Sequence, residues 1–320
     1  MICFVITWPR RTLKRLREMP GMPVHSIWSY DALFRARTLP RATWVFTDFD
    51  RLSAWELELA AHVCRELERD GMRVLNDPAQ AVGRFDLLAS LRRTGYNRFS
   101  VWRAADRTAV DRFPVFLRTE AAHRGPLTDL IPDAQALAHA VQRALSEGYP
   151  LRDLMVVEYC AQPLPLPSGI FRKRAAFRVG DRLVNTLAVH DTSWAAKYGQ
   201  LGIADESLYR EEWESIDRCP HERELMAAFD VAQLSYGRVD YSLVDDQVQV
   251  YEINSNPTVG RTLVHPSALR LQSSAMAERL LVDAFQDIDS PRGKAMRLTD
   301  GLLAKQRKAD RFLLRSRWVI

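Results

Sequence analysis

Apolar and polar positions change period along the chain, and each change marks an element. Ile2 to Thr7 is a continuous apolar run of strand length, and Thr43 to Thr47 (TWVFT) is a second. Residues 8 to 20 between them are basic and read as surface. From Ser53 to Arg69 the period becomes helical. Leu57, Ala60, Ala61 and Cys64 share a face, Ser53 is placed to cap the first turn, and Glu56 stands at capping-box distance. Gly71 stops the helix, and Met72 to Leu75 returns as a strand. Strand–helix–strand alternation predicts a small α/β unit over about residues 1 to 80.

Asn76-Asp77-Pro78 reads as turn chemistry. A helical pattern over Asp86 to Leu91 closes at Gly95-Tyr96-Asn97, before a strand at Phe99 to Trp102. Pro114 to Arg118 is a short apolar strand ending in a cation, and Leu154 to Ala161 (LMVVEYCA) is another strand. The amphipathic helix Ala134 to Gly148, with Leu137, Ala138, Val141 and Leu145 on one face, separates them. Pro163, Pro165 and Pro167 hold an extended loop. Phe171 to Val189 then reads as a hairpin turning at Gly180-Asp181, with Arg172, Lys173, Arg174 and Arg178 on its first strand. Asp205 to Asp217 is an acidic helix, expected as an exposed lid or spacer; His221 to Leu234 and Ser267 to Phe285 are further helices. The tail from Pro291 interleaves Lys294, Arg297, Lys305, Arg307, Lys308, Arg311, Arg315 and Arg317 with leucines. It reads as a docking helix, an RNA or membrane-surface contact, or a solvated helix, the last being commonest.

The most informative stretch is Gly237 to Pro257, GRVDYSLVDDQVQVYEINSNP. Tyr241 to Val244 and Val248 to Ile253 are strands around the polar turn Asp245-Asp246-Gln247. An antiparallel pair brings Asp240, at the start, beside Glu252 and Asn254, at the end. Glu252 and Asn254 share a face by the two-residue period, which turns Tyr251 and Ile253 the other way. Two carboxylates and an amide oxygen suit a hard cation such as Mg2+, which takes one or two carboxylates plus substrate phosphates. Arg238 leans to the same side, within reach of those phosphates.

Composition narrows the rest. An apolar share of 47% with 27% charged residues is that of a soluble globular protein. The net charge of +5 is modest, nearly all of the basic residues are arginine, and no RRM, zinc-finger or helix-turn-helix signature accompanies them. No nucleic-acid partner is therefore expected. Cys3, Cys64, Cys160 and Cys219 are scattered without a C-x-x-C pair, which argues against a zinc site or disulfide framework. The opening apolar run is too short for a signal segment, and no run reaches membrane-spanning length. The expectation is a reduced, cytoplasmic protein without a transmembrane segment.

The order Arg-x-Asp, hairpin, Glu-x-Asn-x-Asn-Pro resembles the metal-binding strands of the ATP-grasp superfamily, which includes glutathione synthetases, D-alanine–D-alanine ligases and RimK-type glutamate ligases. The resemblance runs from about Asn76 to just past the hairpin. It implies an α+β ATP-grasp fold: a small α/β N-terminal domain (residues 1 to 80), an ATP-grasp domain (81 to 290, with a lid subdomain at about 110 to 160) and a basic tail (291 to 320). ATP would lie between two subdomains. Asp240, Glu252 and Asn254 would hold Mg2+, Arg238 would stabilise the reacting oxyanions, and Glu158, Tyr159 and Cys160 would line the adenine pocket. Arg118, standing where relatives carry lysine, and Lys197 would contact phosphates, with Arg174 the inward cation of its strand. His123-Arg124-Gly125 resembles the loop over the phosphates but is poorer in glycine. The implied partners are a small-molecule or peptide carboxylate and an amine acceptor, joined through an acylphosphate; a homodimer is compatible with the family. A kinase that stops at phosphoryl transfer and a non-catalytic nucleotide-binding module are the competing functions. After Pro257, Thr258 to Thr262 departs from the family pattern, which leaves the substrate open.

Overall fold

Four short runs rich in aromatic and β-branched residues build the first sheet of the computed structural model, which describes residues 1–7, 12–121, 125–166, 169–260 and 263–312. The strands are β1 (Ile2–Ile6), β2 (His25–Ser29), β3 (Thr38–Leu39), β4 (Thr43–Phe46) and β5 (Val74–Leu75); all but β3 join one parallel sheet in the order β2-β1-β4-β5. Every residue of β1 and β4 is buried, as a parallel sheet covered on both faces requires. Helices α1 (Tyr30–Arg35) and α2 (Ala54–Arg69) pack there, and α2 starts with both bonds of the Ser53–Glu56 capping box. Of residues 8 to 20, 8–11 lie outside the described residues, and the remainder is not simply surface. A 3-10 turn at Lys14–Glu18 sends Leu13, Leu16 and Met19 into the core, because residues three apart lie on one side of such a turn.

The next layer holds α3 (Arg84–Arg93), β6 (Val101–Arg103), β7 (Val115–Thr119), α4 (Ala134–Ser146) and β8 (Leu154–Glu158). The strands form an antiparallel sheet, β6-β8-β7, whose Val115, Leu117 and Val156 meet Leu137 and Val141 of α4.

The large sheet comes last in sequence. Its elements are β9 (Phe171–Val179), β10 (Arg182–Asn185), β11 (Val189–Asp191), α5 (Glu206–Arg218), α6 (Glu222–Val231), β12 (Tyr236–Val244), β13 (Gln247–Asn254) and α7 (Ala268–Asp287). The order is β10-β9-β12-β13, with β11 also on β9. Phe177, Val179 and Tyr236 face Phe285 of α7, whereas Ala176, Val239 and Tyr241 face Phe229 of α6. The acidic helix is not an exposed spacer: Leu208, Tyr209, Glu212 and Ile216 of α5 are buried, and α5 packs along α7. Its charge content hid a period-3.6 apolar stripe.

Two asparagines tie the layers together. Asn76, in the left-handed region (φ 63°), donates to the carbonyls of Phe46 and Tyr236 at 2.9 and 2.8 Å. Its side-chain oxygen accepts from the amides of Ser235 and Tyr236. The first sheet is thereby fastened to the start of β12. Asn97 exchanges two 2.9 Å bonds with the backbone of Val250, satisfying β13 where it has no strand neighbour. At the end of the described chain β14 (Met296–Arg297) pairs with β3, and α8 (Gly301–Phe312) docks on α1 and α2 with Leu303 buried. Arg315 and Arg317 lie outside the described residues. Among the described residues no helix is long and apolar enough to cross a membrane.

Candidate active site

The turn between β12 and β13 fixes the register of the outer hairpin, and a bulge resets it at the candidate site. Asp245 and Asp246 both have positive φ (46° and 61°), the conformation of a two-residue hairpin turn matched to strand twist. That register runs as far as Tyr241 opposite Val250; beyond it Asp240 lies opposite Glu252 and Arg238 opposite Asn254. Between Asp240 and Tyr241 the register slips by one residue, a bulge in β13. Simple alternation predicts that Tyr251 faces away from Glu252. The extra residue instead brings Tyr251 to the same cleft, where its hydroxyl donates to the Cys160 carbonyl at 2.7 Å.

Each carboxylate of the pair is held by two cations. Asp240 accepts from Arg238 Nε at 2.9 Å and meets Lys173 Nζ at 3.1 Å. Glu252 meets Arg84 Nη2 at 2.9 Å and Arg118 Nη2 at 3.1 Å, both on Oε2. Burial acts to raise the pKa of Glu252, but Arg84, Arg118 and Lys173 outweigh it and hold the pKa below the usual range. Asn254 is set by its own loop, its Oδ1 accepting from the amide of Asn256 at 2.8 Å.

These groups form one end of a cleft of about 400 Å³. Arg118, Lys197, Arg238, Asp240, Glu252 and Asn254 all line it. So do Glu158, Tyr159 and Cys160, with Phe116. Trp194 joins the walls, its ring centroid 4.8 Å from that of Phe116 and 5.7 Å from that of Tyr159. Glu158 accepts from the amide of Ser100 at 2.8 Å, so its carboxylate is already engaged. Lys197 is exposed, with its ammonium 5.2 Å from the Tyr198 ring. Gly125 reaches the cleft, while His123 and Arg124 lie outside the described residues.

Arg174 does not join this group. It faces a small buried space between β9, β12 and α5 with Glu212 and Tyr241, on the opposite side of the sheet. Lys173, one residue earlier, takes the inward place. Arg172, Lys173 and Arg174 are all half-buried, so alternation gives two faces without saying which borders the cleft. Behind the sheet, burial pushes the Glu212 carboxyl up to about 7, although Arg270 at 2.9 Å and the Ala188 amide oppose the rise. Burial, followed by the charges of Arg172 and Arg270, pulls His190 down to about 3.

Arg84 is the participant with no sequence signal. It is one arginine among many, at the first turn of α3, and only folding shows that its buried guanidinium lies against Glu252. It does not line the cleft. Its guanidinium also donates to the Glu120 carbonyl, while the Glu120 carboxylate accepts from the amide of Phe85 at 3.2 Å.

The donor chemistry fits a hard divalent cation that brings ligands of its own. Asp240, Glu252 and Asn254 supply two carboxylates and an amide oxygen from facing strand positions. Among the described residues no three His, Cys, Asp or Glu side chains are grouped to hold a metal ion. A cation here would depend on oxygens from a bound substrate.

No known family model matches this sequence, and no curated protein does. Solved structures do match. D-alanine–D-alanine ligase from Bacillus anthracis aligns with TM-score 0.51 at 13% identity, over 97% of this chain and 99% of that one. A structure of the same ligase complexed with ATP gives 0.47 at 11% identity, over 97% and 99%. A RimK domain ATP-grasp protein from Sphaerobacter thermophilus gives 0.49 at 14%, over 88% and 98%. The first of these carries the assignment. The chain has the α+β ATP-grasp fold.

Proposed function

We propose that the protein is an ATP- and Mg2+-dependent ligase that joins a carboxylate to an amine through an acylphosphate. The observation that carries this reading is the register of Asp240 against Glu252, with Arg238 and Asn254 beside them, at one end of the cleft. In the proposed reaction a carboxylate oxygen of the first substrate attacks the γ-phosphorus of ATP and ADP departs. The amine nitrogen then attacks the acyl carbon, phosphate leaves, and the amine gives up a proton. Both first reactants are anions, so the site must gather positive charge around the transferring group. Arg118, Lys173 and Arg238 line the cleft and supply it. Mg2+ held by Asp240, Glu252 and Asn254 would add Lewis acidity at the phosphate oxygens. Glu158 to Cys160, with Phe116, would receive the adenine ring. The amine acceptor and the carboxylate would bind beside Thr12, Arg51 and Thr258, which also line the cleft. The domain division at about residue 80, with the β6-β8-β7 sheet as the lid, belongs to the same proposal.

Thermal unfolding with a non-hydrolysable ATP analogue, with and without Mg2+, tests nucleotide binding. Ligand at roughly a hundred times its dissociation constant stabilises by about 2.7 kcal/mol, a rise of about 2 °C or more for a chain of this length. No shift with any nucleotide removes the proposal. Ligation itself is tested by products: ADP, phosphate and a new amide support it, whereas ADP with a stable phosphoester identifies a kinase.

A further inference from the structure

Cations outnumber carboxylates among the ion pairs at the candidate metal ligands. Arg84, Arg118, Lys173 and Arg238 contact two carboxylates, Asp240 and Glu252, which leaves an excess of two positive charges. Three of those cations line the cleft, where a ligand can draw them off. Arg84 is different. Its side chain is only 6% exposed, and it is anchored to the Glu120 carbonyl behind the site. The first turn of α3 that carries it is held by the Glu120 carboxylate on the Phe85 amide. It is a fixed counter-charge for Glu252.

We infer that a phosphate-bearing ligand binds this site before any divalent cation, and that Arg84 enforces the order as a positioning residue. The inference rests on the proposed phosphate-handling role of the cleft and adds the sequence of binding. A free dication approaching the site meets net positive charge and carboxylates already engaged. A polyphosphate meets three cations it can contact directly. Once its charge is present, it draws Arg118, Lys173 and Arg238 toward itself, and the carboxylates become available while Arg84 stays in place.

The test uses the full chain and three probes: Mn2+ alone, followed by electron paramagnetic resonance; inorganic tripolyphosphate with EDTA; and ADP with EDTA, the last two by calorimetry. The expected result is that tripolyphosphate and ADP bind without metal, and that Mn2+ binds at least tenfold more tightly once either is present. Arg84→Met should tighten Mn2+ alone and weaken tripolyphosphate by about tenfold, a pattern that a merely structural arginine would not produce. Lys173→Met, on a side chain one-quarter exposed, should move both in the same directions if Arg84→Met does not fold. Mn2+ alone binding as tightly as Mn2+ with tripolyphosphate, in a manner lost in Asp240→Asn, overturns the inference and leaves the ligase proposal standing. Tripolyphosphate binding with no response to any nucleotide does the reverse. Failure of both anions to bind without metal overturns the inference outright.

Discussion

Asp240 and Glu252 sit directly opposite each other across β12 and β13, two like charges in the closest relationship a sheet offers, and the cations around them reconcile the pair. The cations on the two sides differ. Lys173 and Arg238, on Asp240, are each about one-quarter exposed, whereas Arg84 and Arg118, on Glu252, are 6% and 13% exposed. Neutralising Glu252 therefore strands poorly hydrated charge. We expect Glu252→Gln to lower unfolding free energy by about 3 kcal/mol, at the low end for breaking a buried pair. Asp240→Asn should cost about 1 kcal/mol, because its partners keep access to water. Urea denaturation of both variants checks this, and a larger loss for Asp240→Asn would contradict it.

Arg174 and Lys173 are adjacent, yet only Lys173 borders the cleft. Lys173→Met should weaken tripolyphosphate or nucleotide binding about tenfold. Arg174→Met should leave binding within about twofold, because its side chain lies behind the sheet. Loss of binding in Arg174→Met, with the fold intact by circular dichroism, would mean that the face assignment of β9 is wrong.

The contrast between these neighbours shows where sequence reading reaches its limit. The hairpin is legible because a turn, two β-rich runs and a polar triplet are all local. The turn sets the register from Val244 opposite Gln247 to Tyr241 opposite Val250, and the two-residue period puts Glu252 and Asn254 on one face. The bulge is not legible: one extra residue sets Asp240 opposite Glu252 rather than Tyr251, and brings Tyr251 to the cleft. Arg84 was not recoverable at all. Its partner is 168 residues away by numbering, and nothing in the local pattern around Gly83 and Phe85 marks a buried cation. Likewise Leu13, Leu16 and Met19 were lost among arginines, because a single 3-10 turn gives too short a window for periodicity to register.

Asn76, whose local sequence reads as turn chemistry, is a fastener between layers. Four hydrogen bonds from one side chain join β4 to the residues that begin β12, and the left-handed backbone conformation aims it there. Asn76→Ala leaves buried carbonyls and amides without partners, each worth about 1–3 kcal/mol. We expect a total loss of about 4 kcal/mol. Asn76→Gly should lose nearly as much, because relieving the positive φ recovers only about 1 kcal/mol. Recovery of most of the stability by glycine would show that strain, not bonding, dominates the site.

Behind the sheet, His190 and Glu212 make opposite contributions to stability as pH changes. His190 is held neutral by burial and by nearby arginines, its pKa moved from 6.5 to about 3. Between those values the unfolded chain binds the proton and the folded chain does not, so stability rises with pH. Glu212 is moved from 4.5 to about 7, chiefly by burial. Between those values the folded chain keeps a proton that the unfolded chain has lost, so stability falls as pH rises. From the unfolded value of Glu212, 4.5, to that of His190, 6.5, the two slopes oppose each other. Each is at most about 1.4 kcal/mol per pH unit. Across that window the parent protein should show little net slope from this pair. His190→Gln should become less stable with rising pH, and Glu212→Gln more stable. Unfolding free energies from urea titrations at several pH values between these limits measure both signs. If both variants retain the parent slope, the two groups titrate alike in folded and unfolded chains, and burial is not setting their charge.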